Sequence, residues 1–138
     1  MDGLKHNIVY YMSCFWDTLI KKLNDEDIKN ILKITNPTPK IFANALKNEN
    51  IKVENVLWMS NELTVKERQE NFDHIKEYDI NTTKNGYLCS ICDPFLLLLA
   101  ELFKIEIIHH FHDILVNYKY FKECKYTITI HNDKGHMW

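Results

Sequence analysis

The sequence predicts an α+β domain, with helices over the first two thirds of the chain and a small, mainly antiparallel sheet in the last third, packed between helices. Three observations carry this. Apolar residues recur at helical spacing from Phe15 to about Ile75. Asp93-Pro94 opens a run, 95–103, that is apolar nearly all round, as a central buried helix requires. From Ile105 onward apolar and polar residues alternate with the period of two that marks strands.

The elements follow in order. An extended, apolar lead-in (Ile8, Val9, Tyr10, Tyr11) meets a first helix at about 14–23, with Phe15, Leu19, Ile20 and Leu23 on its apolar face. Asn24-Asp25 caps a short second helix that buries Ile28, Ile31, Leu32 and Ile34. Asn36-Pro37 breaks the chain. Thr38 as N-cap, with Pro39 at the first helical position, opens a third helix through Phe42, Ala45 and Leu46. Ile51, Val53 and Val56-Leu57-Trp58 read as an irregular or short extended segment. Thr64-Val65-Lys66-Glu67 is a capping box, opening a charged helix to about Tyr78 with Val65, Phe72 and Ile75 available to bury. Residues 79–85 read as loop, and Asn85-Gly86 as a turn. Strands are expected at 105–112, 114–118 and 126–131. Asn132-Asp133-Lys134-Gly135 then turns the chain into His136-Met137-Trp138.

Length and charge narrow the function. The 138 residues form one domain, 1–138, long enough for a real core. A net charge of −2 argues against a phosphate-tracking surface, so nucleic acid is not an expected partner. No apolar run reaches the roughly 20 residues that span a bilayer, so no membrane is expected either. The start lacks a secretory n-region and h-region. The 4 cysteines are therefore expected as reduced thiols, with a cytoplasmic location. The stop at Trp138, inside a strand, predicts a domain cut from a longer protein.

Cys14 is the first candidate for chemistry. A cysteine at a helix start sits on unpaired N–H groups and the positive end of the helix dipole, which favours the thiolate. The plain alternative is a small buried core residue. A cysteine nucleophile needs an imidazole from a distant element, and 7 histidines compete for that role. His136 follows Gly135 directly after the turn; the glycine leaves room for a substrate backbone. Its plain alternative is a surface histidine in a hairpin. A second constellation is Cys89-Ser90-Ile91-Cys92 followed by His109, His110 and His112. It reads as a zinc site if the two halves converge, and as ordinary buried thiols otherwise.

Together these segments resemble the ovarian tumour (OTU) family of papain-like cysteine proteases, most of which are deubiquitinases. Cys14-Phe15-Trp16-Asp17-Thr18-Leu19 matches the family's catalytic helix. Gly86-Tyr87-Leu88, the apolar helix at 94–103 and the strand from Ile105 match its middle, and 126–130 with Gly135-His136-Met137 match its end. The similarity spans the whole chain in order and spacing, and small viral members are nearest in size. It implies an OTU-like fold, catalytic Cys14 and His136, and backbone oxyanion donors at Tyr11 and Cys14. It implies no cofactor and no metal.

Three positions depart from the family. Tyr11 stands where cellular members usually have aspartate, Met137 rather than an aromatic follows the histidine, and Trp138 stands where many members place the acid or amide that orients it. The third member is left open among Asp133, Asn132, Asp2 and Asn7, or a dyad without one. The implied activity is hydrolysis of (iso)peptide bonds after a Gly-Gly-type tail. The implied partners are ubiquitin or polyubiquitin, ubiquitin-like modifiers, or a viral polyprotein in the host cytoplasm. Trp16 and Trp58 line the tail's channel or belong to the core. The alternatives are a catalytically inactive ubiquitin-binding module of the same fold, and a small zinc-binding regulator.

Overall fold

The computed structural model describes residues 14–133 and 136–138. The chain is mixed α+β. Helix α1 covers 14–22, α2 Asp25–Leu32, α3 Pro39–Asn48, α4 Val65–Glu77 and α5 Pro94–Phe103. The strands are β1 Val56–Trp58, β2 Asn61–Glu62, β3 Glu106–Phe111, β4 Ile114–Tyr120, β5 Thr127–Asp133 and β6 His136–Met137. No helix among the described residues is long and apolar enough to cross a membrane.

Four helices start where the side chains can cap them. Asn24 accepts from the Asp27 N–H, and Thr38 from the Ile41 N–H ahead of Pro39. Thr64 and Glu67 complete the capping box in both directions, at 2.8 and 3.1 Å. Val65, however, is almost fully exposed: it is the first residue of α4 and faces water, while Ile75 carries the burial. Residues Ile80–Asn85 form a 3-10 helix rather than a loop. Asp79 starts it by accepting from the Asn81 N–H.

The fourth cap organises the core. Asp93 is wholly buried, and its Oδ1 accepts from the Phe95 and Leu96 N–H groups at the head of α5. Its Oδ2 accepts from the Ser90 N–H at 3.0 Å and the Tyr87 hydroxyl at 2.8 Å. Its own N–H donates to the Tyr118 hydroxyl on β4. Burial pushes the carboxyl pKa up, and these donors pull it back. At the other end Glu101 Oε1 accepts from the Glu54 and Asn55 N–H groups, pinning the segment ahead of β1. Between them α5 is buried at every residue but Leu102.

The sheet has six strands in the order β2-β1-β4-β3-β5-β6. Every neighbouring pair is antiparallel except β3–β5, which is parallel in the register Glu106↔Thr127 to Phe111↔Asn132. It is larger than the sequence suggests because β1 and β2 form an extra hairpin at one edge. The turn between them is Met59-Ser60, with φ 50° and 68°. His112 lies not in a strand but in the β3–β4 turn, with φ 55°. The sheet is also not sandwiched between helices among the described residues. Among the described residues one face packs on α5 through Ile107, Val116, Tyr118 and neighbours. The other, including His110, Leu115 and Lys119, remains open or half-open.

The two kinds of cap should differ in weight. Asp93→Ala removes the acceptor of five buried or part-buried donors and is expected to lower unfolding free energy by about 3 kcal/mol. Thr64→Ala, at a solvated cap, should lower it by about 1 kcal/mol. Urea unfolding midpoints of the two variants check the ranking.

Candidate active site

Cys14 stands in the first described turn of α1, half-buried. The helix is held by the two residues after it. Phe15 and Trp16 are buried in an aromatic cluster: Phe15 lies 4.4 Å from Tyr87, and Trp16 5.0 Å from Phe95, centroid to centroid. Tyr87 is fixed in turn by its bond to Asp93. Trp16 is therefore core, and among the described residues its Nε1 has no hydrogen-bond partner. Trp58 donates to the Ile91 carbonyl. Neither lines the space beside Cys14.

The other half comes from β6. It pairs with β5 in the register Asn132↔Met137 and Asp133↔His136. Met137 points into the core, which turns His136 to the opposite side of the strand. There the Cys14 Sγ lies 3.6 Å from His136 Nδ1, joining residues 122 apart in the chain. Thr18 Oγ1 donates to the Met137 carbonyl at 3.2 Å and ties α1 directly to β6. Thr18 is four residues past Cys14, on the same helix face, and that spacing was the signal that could have singled it out. A pocket of about 430 Å³ adjoins the thiol, lined by Cys14, Asp17, Thr18, Lys21, Lys22, Met137 and Trp138.

The candidate orienting groups are placed as follows. Asn132 reaches His136 through the main chain, its Nδ2 donating to the His136 carbonyl at 3.3 Å, so it holds the backbone of β6. Asp133 Oδ1 lies 3.5 Å from His112 Nδ1. Because Nδ1 of His136 faces the sulfur, any orienting group must address Nε2. Tyr11, Asp2 and Asn7, the lead-in 8–11, and Lys134 and Gly135 of the turn lie outside the described residues.

The other cysteines are in different surroundings. Burial, then the Asp93 charge, pushes the Cys89 thiol far up. Burial, then Glu67 and Asp93, pushes Cys92 up to about 11. Both are thus held as thiols. Cys89 and Cys92 do not converge with His109, His110 and His112: no group of three or more metal-ligating side chains forms among the described residues. The zinc arrangement fails because β3 splits the histidines. His109 turns into the core, His110 faces outward and His112 sits in the turn.

His109 is fully buried, and among the described residues neither ring nitrogen meets a partner at full hydrogen-bond geometry, the Asn132 side chain being the polar group that approaches it. Burial pushes its pKa down to about 4; nearby Asn132 opposes this, while His110, His112 and His131 add to it. No protein-family model, curated protein or solved structure matches the chain.

His109 makes stability depend on pH. Its folded pKa is depressed, so the unfolded chain takes the proton first as pH falls. Stability is full above 6.5 and lost on the way down to about 4, on the order of 3 kcal/mol from this group. His109→Leu should flatten that part of the curve. Urea midpoints at pH 7.5 and 4.5, compared between the two chains, measure it.

Proposed function

We propose that this chain is a cysteine-type (iso)peptidase of OTU-like fold that removes ubiquitin or a ubiquitin-like modifier. The approach of Cys14 Sγ to His136 Nδ1 at 3.6 Å carries the reading. A thiol and an imidazole from opposite ends of the chain, beside an open pocket, is the arrangement that nucleophilic acyl transfer needs. The part-buried thiols Cys89 and Cys92, with raised pKa values, are poor competitors for the role.

The chemistry runs as follows. His136 takes the Cys14 proton, leaving thiolate and imidazolium. The sulfur attacks the carbonyl carbon of the bond after a Gly-Gly-type tail. Backbone N–H groups at Cys14 and Tyr11 hold the oxyanion. His136 gives its proton to the leaving amine as the C–N bond breaks, and a thioester remains. Water, deprotonated by His136, then attacks the thioester and releases the carboxylate and the thiol. A polyprotein junction ending in the same tail fits the same steps.

The test is labelling with ubiquitin carrying a C-terminal electrophile. The wild-type chain should form a covalent adduct and Cys14→Ala none. His136→Ala should lower kcat/KM on a fluorogenic ubiquitin amide about a thousandfold. Ubiquitin binding with no adduct would instead mark a non-catalytic binding module.

A further inference from the structure

The open face of the sheet carries a run of rings that ends at the candidate site. Trp138 lies against His136, with ring centroids 5.4 Å apart and planes 21° from parallel. Across on β5, His131 stacks with Trp138 at 5.3 Å and 10°. On β3, His110 stacks with His131 at 4.5 Å and 8°. The sheet sets this spacing. His110 and His131 are register partners, and His131 and Trp138 exchange two backbone hydrogen bonds, at 2.8 and 3.0 Å. Neighbouring strands about 4.8 Å apart bring flat rings at matched positions to stacking distance. The Trp138 backbone and ring are both held, yet the residue is 49% exposed and lines the pocket beside Cys14.

We infer that Trp138 is a positioning residue for the Cys14–His136 pair, its indole fixing the plane of the imidazole so that Nδ1 stays on the sulfur. This rests on the cysteine-peptidase reading. A hydrogen bond at one ring nitrogen fixes a distance but lets the ring rock about that edge. A stacked indole opposes the rocking, because rotation about Cβ–Cγ drives the imidazole edge into the indole face. The restraint keeps Nδ1 on the sulfur while His136 takes the Cys14 proton. It therefore acts on the chemical step rather than on substrate binding, and it holds whatever group addresses Nε2. The position two after the histidine, where the resembled family places an acid or amide, here holds a group that orients through its face.

The test is the pH profile of Cys14 alkylation by iodoacetamide, read by mass spectrometry of the peptide that carries it. It is run on the wild-type chain and on His136→Ala, Trp138→Ala, Trp138→Leu and Trp138→Phe, each with its thermal transition recorded. The wild-type Cys14 should still react at pH 6, and His136→Ala should lose that reaction. Trp138→Ala and Trp138→Leu should slow it about tenfold, and Trp138→Phe, which keeps an aromatic face, should restore most of it. On a fluorogenic ubiquitin amide the same two variants should lower kcat about tenfold, with KM within about twofold. A Trp138→Ala profile that overlays the wild type, while His136→Ala still changes it, overturns the role of Trp138 and leaves the peptidase reading standing. An ordinary thiol profile in the wild type, indifferent to His136→Ala, overturns both.

Discussion

Helix α5 has no polar stripe, so the rest of the described chain has to be laid around it. A helix apolar on all sides is stable only when surrounded. The sheet takes one side, through β1, β3 and β4, and helices α2, α3 and α4 pack on it as well. Its ends are the only polar anchors, and each is a carboxylate filled by donors. Asp93 ties its head to β4 and to the 87–90 segment, and Glu101 ties its last turn to the approach to β1. Both halves of the candidate site take their position from this helix. Trp16 packs α1 on Phe95, while the sheet that carries β6 is registered to Asp93 through Tyr118.

The site is assembled across nearly the whole described length of the chain. Thr18 and Cys14 meet Met137 and His136 over 119 and 122 residues. Contacts of that span carry a loop-closure entropy that packing of the intervening core has to offset. The same layout sorts the cysteines by environment. Burial first, and nearby carboxylates after it, disfavour thiolate at Cys89 and Cys92, whereas Cys14 faces a pocket and an imidazole.

What the sequence made legible was local chemistry. The caps at Asn24, Thr38, Thr64 and Asp93 are set by side chains that bond within their own turn, so short motifs find them. The all-apolar run of α5 and the alternation of β3 to β5 needed only periodicity. Cys14 and His136 are paired through the family resemblance; the residues alone offer a cysteine at an expected helix start and a histidine after Gly135. The β1–β2 hairpin was hidden because its turn is Met59-Ser60, not the Asn-Gly that left-handed φ values usually select. The parallel β3–β5 pairing was hidden because it is set by the sheet, not by the neighbours in sequence. The stack through Trp138 depends on that register, so no spacing along the chain could announce it.

That register also governs how the chain tolerates changes of length. Between β4 and β5 the chain passes around the start of β3, through exposed residues at 121–123, and can take up an added residue there. Within 127–133 it cannot. Side chains alternate with a period of two, so one extra residue would turn Ile128 and Ile130 out to water. The same slip would swap His131 for a neighbour, part the rings above it, and carry the imidazole of His136 to the wrong side of its strand.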